Sequence, residues 1–124
     1  SSYIYFQLIN TYGSNFLEVK TPFNYADNAW HHLVATYSGS SLASGVHVYL
    51  DGKDATLQTT ANSLSATIVN SIPLSVGSRN LDGQLYDGLI DDVRIYNYVL
   101  SATQVKNIMN GGGGTNFGPT SGQP

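Results

Sequence analysis

The sequence contains no cysteine and few charged residues, and both shortages limit what the protein can do. Without cysteine, disulfides and cysteine-ligated metal sites are excluded. The five lysine and arginine residues are scattered singly. This argues against nucleic acid as a partner, because phosphate binding needs clustered positive charge. No apolar run approaches the roughly 20 residues of a membrane-spanning helix, so we expect no membrane insertion.

The start of the chain lacks both a signal peptide and an initiator methionine. We interpret the sequence as a processed or excised part of a longer protein. Its 124 residues suffice for one domain with a single core. Tyrosine is abundant, at nine residues, and serine, threonine and asparagine are frequent. Such a neutral surface, rich in hydroxyl groups and aromatic rings, is common in secreted β proteins and in carbohydrate-binding proteins.

Short segments of alternating apolar and polar residues, separated by turn residues, predict β-strands along the chain. Asp51-Gly52 is the strongest hairpin signal. Segment 56–71 is ambiguous, and segment 79–88 is typical of a loop. This spacing of strands and turns predicts an all-β, antiparallel β-sandwich. The predicted strands cover residues 3–9, 16–20, 30–38, 46–53, 72–78 and 89–97.

One short helix is predicted near the end of the chain. Ser101 is its expected N-cap, and Gln104, three residues later, completes a capping box. Val105, Ile108 and Met109 would form its buried stripe. Residues 111–124 have the composition of a Gly-rich linker or tail. We therefore predict a domain over residues 1–110, followed by a tail over residues 111–124.

Three parts of the chain carry a family resemblance: WHHLVATYSGSSLASGVHVYLDGK, then PLSVGS, then YDGLIDDVRIYNYVLSATQV. Together they resemble the laminin-G-like, concanavalin-A-like jelly rolls of bacterial secreted proteins. The departures are small: Tyr86 replaces the usual Phe, and Tyr98-Val99 stands where a basic residue and Ala are common. The resemblance implies a jelly-roll β-sandwich, and a secreted or cell-surface location.

The resemblance also implies strands that the chain does not contain. Family members carry a G-x-Y-x-F-D-G-x-D-D-Y-V stretch before the part matched here, and nothing before Tyr3 can supply it. We interpret the chain as the C-terminal portion of the fold, with an exposed sheet edge. The missing strands would come from a complementing chain, from a swapped copy in a homo-oligomer, or from a further segment of the protein. The alternative is a trimmed fold that has repacked.

Two adjacent carboxylates, Asp91 and Asp92, lie within a predicted strand. Neighbouring residues of a strand point to opposite faces, so the pair cannot act together on one glycosidic bond. The E-x-D-x-E strand of the related glucanases is absent, and we predict that the chain is not an enzyme. The resemblance implies instead that Asp91 helps to bind a structural Ca²⁺, an ion that prefers oxygen ligands. In the alternative interpretation Asp91 accepts loop N–H groups and Asp92 pairs with Arg94 or a lysine.

The remaining candidates for ligand contact are aromatic and polar side chains. His31, His32 and His47 lack an evident third metal ligand, so we expect them to be structural. Trp30 could stack on a sugar, but the resemblance favours a place in the core or on the sheet. Amides, carboxylates and one aromatic ring lie close together in a single rim loop, as sugar recognition requires. The candidate ligand-binding residues of this loop are Asn80, Asp82, Gln84, Tyr86 and Asp87.

Two functions follow as hypotheses. The first is a non-catalytic extracellular module that recognises carbohydrate or a glycoprotein within a larger bacterial protein. The second is a structural or adhesive domain that is completed by strands from another chain. Fold resemblance alone does not decide between them.

Overall fold

The structure is a computed structural model that describes residues 3–65, 67–79 and 83–110. Two three-stranded antiparallel sheets form its body, in the orders β1-β2-β6 and β3-β4-β5, and β7 and β8 form a small hairpin. The predicted tail, 111–124, lies outside the described residues. The strands are β1 (Tyr5–Thr11), β2 (Asn15–Lys20), β3 (Leu33–Tyr37), β4 (Val46–Leu50), β5 (Lys53–Asp54), β6 (Gln58–Asn62), β7 (Ser78–Arg79) and β8 (Gln84–Leu85).

The two larger sheets share one apolar core. Leu17 and Val19 project into it from β2, and Val46 and Val48 project from β4; all four are almost fully buried. Alternate residues of a strand face opposite sides of the sheet, so each strand contributes one apolar row. Ala43, in the 3-10 helix Ala43–Gly45, packs in the same core. Two sheets with a common core make a β-sandwich, and the predicted all-β fold is confirmed.

The turn between β4 and β5 has the left-handed backbone that its sequence predicts. Asp51 has φ 49° and Gly52 has φ 75°, as in the tight hairpin turns that Asp-Gly favours. A Cβ atom on Gly52 would lie 3.2 Å from Cγ of Lys106. The helix α1 (Ala102–Met109) therefore lies against this turn.

The capping box of α1 is confirmed. The Ser101 hydroxyl accepts the backbone N–H of Gln104 at 3.2 Å, and the Gln104 side chain accepts the backbone N–H of Ser101 at 2.8 Å. Val105 is fully buried, whereas Ile108 and Met109 are half-buried. The helix thus covers one end of the β3-β4-β5 sheet with a narrow apolar stripe.

Three strand predictions differ most from the structure. The predicted strand 30–38 is shortened to Leu33–Tyr37, and of segment 72–78 only Ser78 is in a strand. The predicted strand 89–97 is wrong, because none of its residues forms one. Asp92 has φ 53° there, in the left-handed region, which interrupts an extended backbone.

Candidate functional site

A histidine bridges two carboxylates beside the β4–β5 turn. Nδ1 of His31 lies 2.7 Å from Oδ2 of Asp51, and Nε2 lies 3.0 Å from Oδ1 of Asp27. The Tyr25 ring and the imidazole meet in an edge-to-face arrangement, with centroids 6.0 Å apart. We call Asp27, His31 and Asp51 the His31 cluster. It joins the loop after β2 to the turn after β4.

Within the His31 cluster, the imidazole and the two carboxylates each favour the charged form of the other. The hydrogen bond to Asp51, and then that to Asp27, raise the pKa of His31 above its usual value. The pKa of Asp27 is lowered, first by the N–H of Ala29 and then by His31. Burial raises the pKa of Asp51, but the hydrogen bonds from His31 and from the N–H of His32 outweigh it and lower that pKa overall.

The Asp51 carboxylate is held on both of its oxygens. Oδ1 accepts the backbone N–H of His32 at 2.9 Å while Oδ2 contacts His31. The Asp51 N–H in turn donates to the His32 carbonyl at 2.8 Å. This leaves Asp51 in one orientation, with lone pairs still available to a further donor.

An open cleft of about 410 Å³ lies beside this carboxylate. Phe23 stands in its wall with two-thirds of its surface exposed, and Tyr25 is half-buried. The hairpin supplies the charged groups Asp51, Lys53 and Asp54. We call this the aromatic cleft. Its lining is completed by Pro22, Leu50, Ala55 and Thr56.

A second cleft of about 390 Å³ shares Asp54, Ala55 and Thr56 with the aromatic cleft. His47 lies in its lining, and its Nδ1 is 2.9 Å from Oδ2 of Asp54. Its other walls are mostly small and aliphatic, such as Val19. Of the two clefts, only the aromatic cleft has an exposed Phe, Tyr or Trp ring among the described residues of its lining. It is therefore the better candidate site.

The rim-loop residues predicted from the sequence lie apart from the aromatic cleft. Asn80 and Asp82 fall outside the described residues, and Gln84 lies in β8 opposite Arg79. Tyr86 and Asp87 are exposed, and neither lines the aromatic cleft. The assignment of a ligand to this loop stays a prediction.

The pair Asp91 and Asp92 has the contacts of the alternative interpretation. Asp91 Oδ1 accepts the N–H of Asp92 at 2.7 Å, and both oxygens of Asp92 bind the Arg94 guanidinium at 2.8 Å. Asp92 raises the pKa of Arg94 further. The described residues contain no group of three or more His, Cys, Asp or Glu side chains that could hold a metal ion. Calcium at Asp91 would need carbonyl or water oxygens as its other ligands, and it stays a prediction.

Trp30 and His32 both precede β3 but differ in burial. Trp30 is two-thirds exposed, so of its two expected places, in the core or on the sheet, the core is wrong. His32 Nδ1 is buried with no hydrogen-bond partner among the described residues, and burial lowers the pKa of His32.

Sequence reasoning missed the aromatic cleft. Phe23 follows the Thr21-Pro22 break of a strand and Asp51 belongs to a hairpin turn, so the local sequence points to neither as a ligand contact. The clustering of Phe23, Tyr25 and Asp27 within five residues of loop was the available signal.

A family model described as the concanavalin A-like lectin/glucanases superfamily matches residues 1–106. The chain belongs to this superfamily. The predicted laminin-G-like jelly roll is thereby confirmed, together with the sandwich of antiparallel sheets. None of the curated proteins matches the sequence.

One solved structure has a fold similar to that of this chain. It is the crystal structure of residues 221–444 of an S-layer domain-containing protein from Clostridium thermocellum, with a TM-score of 0.51 and 18% identity. The match covers 87% of this chain and 63% of the other, so the chain spans less than two-thirds of that structure. At this identity the likeness concerns the fold alone. Within the described residues, no helix has the length and apolarity to cross a membrane.

Proposed function

We propose that this domain is a non-catalytic extracellular module that binds carbohydrate, free or on a glycoprotein, in the aromatic cleft. The observation that carries the proposal is the position of Phe23. This ring is two-thirds exposed beside a cleft whose other wall carries Asp51, Lys53 and Asp54. Burying the ring under a ligand would remove apolar surface from water, which stabilises the complex.

The chemistry of the cleft suits a sugar ring. A pyranose has an apolar C–H face that can lie on Phe23, and hydroxyl groups that can donate to a carboxylate. Asp51 is already fixed by His31 and by the His32 N–H. Binding therefore does not have to order the Asp51 side chain, and such preorganisation favours affinity. The cleft is open to solvent, which suits a weakly bound ligand.

The carboxylates of segment 89–97 support a role without catalysis. Asp92 is held on both oxygens by Arg94, so it is poorly placed to act as an acid or nucleophile. Retaining and inverting glycosidases need two free carboxyl groups that flank one bond. The Asp91–Asp92 pair does not meet this requirement.

An extracellular location is supported by the superfamily and by composition. The superfamily description names lectins, and the solved structure of similar fold is titled as an S-layer domain-containing protein. The neutral composition, rich in tyrosine, serine, threonine and asparagine, is common in secreted β proteins.

A glycan screen followed by titration of the best ligand tests the proposal. Phe23→Ala should weaken binding at least about tenfold, because it removes the stacking surface. The fold should tolerate the change, since Phe23 is exposed and not part of the core. Tyr86→Ala is the matched control, since it removes an exposed aromatic ring from the rim loop instead. Binding that survives Phe23→Ala but is lost in Tyr86→Ala would move the site to the rim loop. The absence of binding to any glycan at millimolar concentration would remove the function.

A further inference from the structure

The segment from residue 89 to residue 99, here called the apolar segment, is the most exposed apolar part of the described chain. Leu89 and Ile95 each expose about three-quarters of their surface, and Val93 and Val99 more than half. Monomeric proteins rarely expose a contiguous patch of this kind without a binding role. The other exposed apolar side chains of the segment are Ile90, Tyr96 and Tyr98.

Within the described residues, the backbone of the apolar segment is largely unpaired, apart from the Asp92 N–H, which donates to the Asp91 carboxylate. Its residues lie in no strand, and no backbone hydrogen bond joins it to another described residue. An unpaired strand edge has the same two features: peptide groups without hydrogen-bond partners and exposed apolar side chains. Main-chain pairing with an added strand would satisfy both at once.

The order of charges in this segment makes it complementary to itself. Asp92 and Arg94 flank Val93. If two copies pair antiparallel with Val93 opposite Val93, then Asp92 of each copy lies opposite Arg94 of the other. Opposite charges directly across an antiparallel pair are favourable, and like charges are unfavourable. The same register places Ile90 opposite Tyr96, an aliphatic–aromatic pair.

We propose that a second copy of this chain pairs with the apolar segment as an antiparallel β-strand centred on Val93. The contact is isologous, because one patch serves both copies. Arg94 exchanges its Asp92 for the Asp92 of the second copy. Asp92 leaves its left-handed conformation (φ 53°) for the extended one, which relieves backbone strain. The interaction is independent of carbohydrate binding in the aromatic cleft.

Light scattering on a sizing column tests the mass of the full chain over a range of concentration. The wild type should give twice the chain mass of 13.3 kDa. In Asp92→Arg, both cross-strand pairs between positions 92 and 94 consist of two positive charges. In Arg94→Asp, both pairs consist of two negative charges. Each single variant should therefore weaken the dimer about tenfold or more. The double variant, D92R with R94D, restores both pairs and should dimerise again.

Mixing the two single variants gives the sharpest result. Their charges complement each other in the proposed register, so an equimolar mixture should form a heterodimer under conditions in which each variant alone is a monomer. Hydrogen exchange should slow at residues 89–97 on dimerisation. A wild type that stays monomeric at all concentrations, or single variants that dimerise as well as the wild type, would overturn the proposal. A dimer whose protected amides lie elsewhere would overturn it too.

Discussion

His31 and Asp51 are separated by 20 residues in the chain, and their side chains meet at 2.7 Å. The contact exists because β3 and β4 pair antiparallel, with Leu33 opposite Leu50, which brings the start of one strand beside the end of the other. Asp27 closes the cluster from the preceding loop. The His31 cluster therefore connects the fold of the hairpin to the wall of the aromatic cleft.

The first prediction concerns the pH dependence of stability. The pKa of His31 is raised on folding, so its contribution is complete below its ordinary pKa of 6.5 and is lost as pH rises through the folded value. The pKa values of Asp27 and Asp51 are lowered, so their contribution is present above the ordinary 3.8 and is lost as pH falls through the folded values. Urea unfolding should show the greatest contribution between these limits.

Replacement of His31 by Asn isolates the alkaline part of this profile. The variant should lose the decline in stability above pH 6.5, because no imidazole remains between Asp27 and Asp51 to deprotonate. His47→Asn, which removes a surface imidazole with a single carboxylate partner, should keep the decline. The same decline in the His31→Asn chain would contradict the role of the cluster.

The second prediction concerns the cap of α1. Ser101→Ala should lower the free energy of unfolding by about 1 kcal/mol, because the N–H of Gln104 loses its acceptor. Thr103→Ala, at an exposed position inside the same helix, should be neutral or slightly stabilising, since alanine is the better helix former. Urea denaturation of the three proteins makes the comparison, and equal losses in both variants would refute it.

The third prediction compares two glycines with positive φ. Gly52→Ala should lower the free energy of unfolding more than Gly13→Ala does. Both substitutions place alanine in the left-handed region, which costs about 1–2 kcal/mol. Only at Gly52 would the new Cβ atom press on a neighbour, the Lys106 and Met109 side chains of α1. Thermal unfolding measures the difference. A smaller loss at Gly52 than at Gly13 would mean that α1 does not pack on this turn.

The fourth prediction concerns calcium at Asp91. If the ion binds the folded chain, added Ca²⁺ should raise the melting temperature of calcium-free protein by mass action, and chelator should reverse the rise. Asp91→Asn should abolish the effect, and Asp87→Asn, at a nearby exposed carboxylate, should not. A melting temperature that ignores Ca²⁺ and chelator in the wild type would remove calcium from the account.

Local patterns carried the parts of the fold that the sequence could predict. The capping residues Ser101 and Gln104 are three positions apart, and Val46, Val48 and Leu50 alternate along one strand, so a few neighbouring residues determined each element. The aromatic cleft depends on the loop after β2 lying beside the β4–β5 turn, so that Phe23 and Asp51 line the same cleft, and no short pattern encodes that proximity. The strand predicted at 89–97 has the correct alternation, but it has no hydrogen-bonded neighbour among the described residues and Asp92 turns left-handed.

The most direct test of the account is to map the bound glycan by amide chemical shifts, with the best ligand from the screen titrated into ¹⁵N-labelled protein. We expect the largest shift changes on residues 22–25 and 50–56, which line the aromatic cleft. Changes centred on residues 83–88 would contradict the cleft and favour the rim loop. No change at any residue would contradict carbohydrate binding itself.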